Sequence, residues 1–134
     1  MSIKVKAFQD KRKDSNNLWY FRAIHPSTIN RDTLADRIQA NCTVKRSDVL
    51  AVLTELVEVM NYELSNGNKV LLDGFGYFYI GVKSIGSIEK EDLDIEQNIQ
   101  GFRCGFLPTG TRDTATGITS RTFCSGLKAQ RYDA

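Results

Sequence analysis

Apolar and polar positions along this chain repeat with two periods. Between Asn30 and Asn41, Leu34, Ala35 and Ile38 form one apolar face. That spacing predicts a short helix, which Asn30 can cap through its side-chain oxygen. From Val49 to Leu64 the apolar positions are Val49, Val52, Leu53, Leu56, Val57, Met60 and Leu64. Steps of three and four positions predict a second, longer helix. Ser47 and Asp48 suit its first turn, and Asn66-Gly67-Asn68 ends it with Gly67 as a left-handed cap. Val59 makes the apolar face wider than one packing seam needs. A helix of that kind covers a sheet on one side and a partner helix on another.

The other period is two. Val70 and Leu72 alternate, then Phe78, Ile80 and Val82. Asp73-Gly74 and Gly76 lie between them and tolerate positive φ or close backbone approach, so a hairpin is expected. Phe75, between the two glycines, is expected to plug the core. Ile3–Ala7 alternates apolar and basic residues, and Trp19–Ile24 is aromatic and apolar. The polar segment Gln9–Asn17 joins them into an N-terminal hairpin with a basic tip at Lys11, Arg12 and Lys13. Pro26 breaks the second strand, and His25, the only histidine, is expected to be structural or at the surface. Residues 83–98 are polar and acidic and predict an extended projection or a loop. Ile99–Leu107 reads as a returning strand, with Phe102, Cys104 and Phe106 on one face and Arg103 on the other. Pro108 stops it. Thr109–Ala134 is rich in Thr, Ser and Gly, has weak periodicity, and is expected to be poorly ordered in part, with Ile118, Phe123 and Leu127 able to dock.

Composition narrows the class. At 134 residues, 41% hydrophobic and 25% charged, the chain suits one folded soluble domain with appendages. No run is long enough to span a bilayer, and Met1-Ser-Ile-Lys-Val-Lys lacks the apolar core of a signal peptide, so a cytoplasmic location is expected. Cys42, Cys104 and Cys124 fit neither a disulfide framework nor a zinc cluster. They read as reduced thiols, two of them in or near the core. The net charge of +2 says little, but its distribution says more. Residues 1–30 carry +4, residues 31–82 carry −2, residues 83–98 carry −3 and residues 99–134 carry +3. A positive face built from both ends would attract an anionic polymer; scattered solvated charge is the plain alternative. No nucleophile–base pair, phosphate loop or metal spacing emerges, so neither an enzyme nor a cofactor is expected.

The order is helix, longer helix, strand, Gly-Phe-Gly-x-Phe, strand, acidic arm, returning strand. With the helix Val49–Leu64 before it, Asn66-Gly-Asn-Lys-Val-Leu-Leu-Asp-Gly-Phe-Gly-Tyr-Phe78 resembles the bacterial HU/IHF histone-like DNA-binding family. Arg103-Cys-Gly-Phe-Leu-Pro108 is similar to the segment where that family's arm returns. The likeness spans roughly residues 30–112. Residues 1–29 and 113–134 look like the N-terminal strand pair and glycine-rich tail of extended HU-related variants. The resemblance implies an α+β, HU/IHF-like fold: two helices packed on a β-sheet with a projecting arm (about residues 83–98), an intertwined dimer, and an extra N-terminal β-hairpin. It also implies a homodimer on double-stranded DNA in the nucleoid, contacting mainly phosphates with little sequence preference. No membrane and no small-molecule substrate are implied.

Carried over by position, Lys69 falls before the family's first strand. Gly74 and Gly76 match a turn whose amides can approach phosphate. Lys83 falls near the arm base, and Arg103 on the returning strand. Residues 83–98 hold neither the family's arm-tip proline nor any arginine. An arm of charge −3 is repelled by the groove. Binding would then rest on Lys4, Lys6, Lys11, Arg12 and Lys13 with Lys69, Lys83, Arg103 and Arg112. The alternative is an HU scaffold kept for dimerisation or protein interaction. The family's closing C-terminal helix is not expected, because Thr109-Gly-Thr-Arg-Asp-Thr has poor helix propensity.

Overall fold

The computed structural model describes residues 1–132. Strands β1 (Ile3–Gln9) and β2 (Trp19–Ala23) form the antiparallel N-terminal hairpin. Helix α1 (Arg31–Asn41) begins where the side chain of Asn30 accepts the Thr33 N–H. Helix α2 (Arg46–Ser65) ends on Gly67 at φ 86°, the left-handed position foreseen for it. The two helices pack together, with Ala35 of α1 and Val49 of α2 buried. Arg46 ties them at the surface by pairing with Asp36 at 2.6 Å and Asp32 at 3.3 Å.

A second sheet has the order β3 (Val70–Leu72), β4 (Gly76–Ser84), β5 (Ile99–Pro108), all antiparallel. Register assigns its two faces. Val70, Leu72, Phe78, Ile80 and Val82 share one face with Phe102, Cys104 and Phe106. This is the face toward α2, whose last turn (Leu64, Ser65) shares a depression with Ile80, Val82 and Phe102. Phe75 plugs one end as expected, its ring 5.1 Å from Phe106, 6.0 Å from Phe78 and 4.9 Å from Phe123.

The acidic arm is neither a long ribbon nor a bare loop. It carries a 3-10 turn (Lys90–Asp92) and the single helical turn α3 (Ile95–Asn98). Asn98 closes its base, exchanging bonds with Ile85 and accepting the Asp94 N–H at 2.9 Å.

The tail carries three short strands. β6 (Gly110–Arg112) and β7 (Thr119–Arg121) form a hairpin, and β8 (Ala129–Arg131) adds in parallel to β1. Its main chain, rather than an apolar face, holds it: Ile3 N–H donates to Lys128 and Tyr132 N–H to Val5. Strands of three residues exposed on both faces leave no alternation to read. Of the three apolar tail residues expected to dock, Phe123 does; Ile118 and Leu127 stay exposed. The expectation of core cysteines also fails, since all three thiols are exposed. Cys104 does alternate with Phe102 and Phe106, and all three are exposed.

The interior is small. Ala35 and Val49 are the buried apolar residues among those described, and the accessible surface is 11558 Å². A compact monomer of this mass would expose about 7,100 Å². The uncovered area includes Val52, Val57, Val59 and Tyr62 on α2, and Val82 and Phe102 on the sheet.

Candidate nucleic-acid interface

The outer face of the β3-β4-β5 sheet gathers charge that is scattered in sequence. Leu71, Tyr77, Tyr79, Gly81 and Lys83 face outward with Gly101, Arg103, Gly105 and Leu107. Lys69 reaches the same face, its Nζ 5.4 Å from the centre of the Tyr77 ring. Tyr77 and Tyr79 lie 6.2 Å apart, centre to centre. Arg103 is registered against Gly81, where an added Cβ would meet its Nε at 2.8 Å. The missing side chain lets the guanidinium lie across the sheet. The structure thus brings Lys69, Lys83 and Arg103 onto one tyrosine-floored surface.

The N-terminal sheet makes a second basic face. Lys4, Lys6 and Phe8 of β1 share it with Tyr20 and Arg22 of β2. Arg22 is directly opposite Lys6, and its guanidinium sits 3.8 Å from the Phe8 ring centre. Lys4 lies 5.2 Å from the ring of Tyr132. Arg22 was missing from the sequence-derived set. Alternation would have found it had the hairpin register been known, but a loop running from Asp10 to Leu18 leaves register open.

Other expected residues fare differently. Lys11, Arg12 and Lys13 sit at the exposed hairpin tip. Arg12 is already engaged: its guanidinium meets Asp10 at 2.6 Å. That hydrogen bond holds the Asp10 carboxyl below its ordinary value and raises the Arg12 pKa. Gly74 is exposed at φ 77° and keeps an open approach. Gly76 does not. It is buried under β5 at φ 153°, and a Cβ there would fall on the Leu107 carbonyl and within 2.7 Å of the Phe106 ring. Close packing, not access to phosphate, requires glycine at 76. Arg112 belongs to the β6-β7 hairpin, apart from the basic face of the sheet. Glu89, Glu91, Asp92, Asp94 and Glu96 are all exposed on the arm.

Charge is sorted by element type. Among the described residues the eight strands carry Lys4, Lys6, Arg22, Lys83, Arg103, Arg112, Arg121 and Arg131, and no carboxylate. Acidic residues of the described chain sit in helices, turns and the arm. No cluster of His, Cys, Asp or Glu able to hold a metal ion occurs among the described residues, and no helix there is long and apolar enough to cross a membrane.

Helix pair, glycine-pinched hairpin and returning strand together define an HU-type body. Residues 1–119 match the family of HU domains fused to wHTH, Ig or glycine-rich motifs, and the chain belongs to that family. A Bacteroides vulgatus protein, assigned provisionally to the bacterial DNA-binding proteins, has a similar crystal structure. Its TM-score is 0.54 at 16% identity, over 89% of this chain and 58% of that one. The present chain thus spans under two thirds of that relative. The Anabaena HU–DNA cocrystal structure aligns with 59% of this chain and 85% of its own, at 23% identity and a TM-score of 0.42. No curated protein matches.

Proposed function

We propose that this protein is a non-enzymatic, HU-like architectural protein that binds double-stranded DNA as a homodimer in the bacterial nucleoid. Contacts go mainly to phosphates, with little sequence preference. One observation carries the reading: all strand charges are positive, and Lys69, Lys83 and Arg103 share one face with Tyr77 and Tyr79. A cationic surface without carboxylates neutralises phosphates and releases counterions without reading base edges. The uncovered apolar face of α2 and the sheet supports the dimer.

Bending by a wedge is not part of this proposal. An HU arm that kinks DNA inserts an apolar tip between base steps. Here residues 83–98 lack proline and arginine and form short turns rimmed with carboxylates. At about 4 Å each carboxylate–phosphate approach costs about 1 kcal/mol even in bulk water. The arm therefore stays off the groove, and the sheet makes the contact. The same arm favours a second reading, a protein-interaction module, because Ile88, Leu93 and Ile95 are exposed beside its acids.

Charge reversal tests the interface. Lys69→Glu, Lys83→Glu and Arg103→Glu should each weaken binding to a short duplex at low salt, uniformly across sequences. Each should also reduce the salt slope by about one unit. Unchanged affinity in a folded triple variant would remove this sheet from the DNA interface and leave the protein-interaction reading.

A further inference from the structure

Strand β2 is an edge of the N-terminal sheet, whose order is β2-β1-β8. Antiparallel pairing turns alternate residues of an edge strand inward and outward. Ile24 donates to Lys4, and Leu18 accepts from Asp10. In the unbroken register between those bonds, Tyr20 and Arg22 are the residues that bond to β1. The N–H and C=O groups of Trp19, Phe21 and Ala23 therefore point away from the sheet, and none of them is bonded among the described residues.

Edge strands are ordinarily blunted by proline, a bulge or charge. From Trp19 to Ala23 there is no proline and no bulge, and Trp19, Tyr20 and Phe21 are exposed. The one charge, on Arg22, is drawn back over β1, its guanidinium 3.8 Å from the Phe8 ring centre. Arg131 lies beyond β1, so it meets the Phe21 ring from the inner side and takes no part at the edge.

We infer that a second copy of this chain completes the edge: two β2 strands pair antiparallel, with Phe21 opposite Phe21. The edge is self-complementary in this register. Phe21 bonds its own copy, and Trp19 bonds Ala23 in both directions, so every outward main-chain group is used. Large Trp19 then faces small Ala23, the two Phe21 rings meet as an aromatic pair, and Tyr20 faces the stem of Arg22. A shift of two residues one way sets Arg22 against Arg22, and the same shift the other way sets Ala23 against Asn17, which lies outside the strand at φ 55°. An unrelated strand would match this spacing and this charge only by chance. Pairing fuses two three-stranded sheets into one and lines up two sets of Lys4, Lys6 and Arg22 on one face. It uses no residue of α2 and needs no DNA, so it stands apart from the proposed dimer and function.

A lone strand pair is marginal in water, so pairing is expected near about 1 mM protein rather than at micromolar concentration. Amide exchange in the unaltered full-length chain, without DNA, reads it directly. The Trp19, Phe21 and Ala23 amides should exchange about fivefold more slowly at about 1 mM than at about 10 μM, with Tyr20 and Arg22 unchanged. In a mixture of labelled and unlabelled chains, an NMR contact should join Tyr20 Hα of one copy to Arg22 Hα of the other, since facing residues of a non-bonded pair come closest. Phe21→Lys sets like charges opposite each other and should abolish both signals, while slow Tyr20 and Arg22 amides show its sheet intact. Concentration-independent exchange at Trp19, Phe21 and Ala23 in the unaltered protein would overturn the inference and leave the edge to another protein's strand. Protection that survives in a folded Phe21→Lys protein would overturn it as well, because this register puts residue 21 on the two-fold axis.

Discussion

Gly76 shows how much a single residue's meaning depends on its neighbours. Its place in Gly-Phe-Gly-x-Phe marked the turn correctly. Spacing could not tell whether the glycine was there for a ligand or for packing. The structure answers with Leu107 and Phe106 against its missing side chain. Gly76→Ala should therefore lower stability by about 2 kcal/mol or more, from backbone strain plus overpacking, read as a drop in melting temperature. Gly74→Ala meets nothing within 4 Å, so only the strain of φ 77° acts and its loss should be smaller. The pair Asp10–Arg12 gives a second test. Its hydrogen bond lowers the Asp10 pKa from 3.8, and the unfolded chain has the ordinary value. The pair's small contribution is thus present in full above pH 3.8 and fades as pH falls through the folded value. Following the Asp10 carboxyl by NMR should show a titration midpoint below the ordinary one, and Arg12→Ala should move it part of the way back, since the backbone N–H of residue 12 still donates to the carboxylate.

At the scale of elements, the chain was legible wherever an apolar period ran for several residues. Both helices and the strands from β1 to β5 follow from periodicity, and the caps at Asn30 and Gly67 from side-chain chemistry. The strands β6 to β8 were not legible. They are held by main-chain bonds, which no side-chain pattern announces, and they bury little. Removing residues 127–134 should accordingly expose the β1 edge: the Ile3 N–H, now bonded to Lys128, should exchange faster with solvent, while amides in α2 keep their protection. Unaltered exchange at Ile3 would mean that β8 does not pair in solution. The acidic arm makes a further test. Energy transfer between dyes on the two ends of a short duplex should change little on binding, since the arm's exposed Ile88, Leu93 and Ile95 stand beside carboxylates that the phosphates repel. A large rise in transfer would show that the arm bends DNA after all.

The whole molecule exposes more surface than a compact chain of its size would, and large apolar side chains are part of it. Val52 and Val59, seven positions apart on α2, flank the stripe that packs inside. Sedimentation at micromolar concentration should give twice the 15.1 kDa chain mass. Val52→Glu with Val59→Glu should shift it toward monomer; a monomeric unaltered protein would remove the dimer. Charge by sequence block hid the feature that matters most here. Block totals mix helices with strands, so the acidic helix pair cancelled Lys69 and obscured a set of strands free of carboxylates. Sorting by element needed the structure. The central claim is that those strands meet the phosphates of duplex DNA, and a salt series measures it most directly. Binding of a short duplex should weaken along a log–log slope of about −3 or steeper, because each phosphate neutralised contributes about −0.9. No binding at about 50 mM salt, where non-specific affinity is strong, would contradict it.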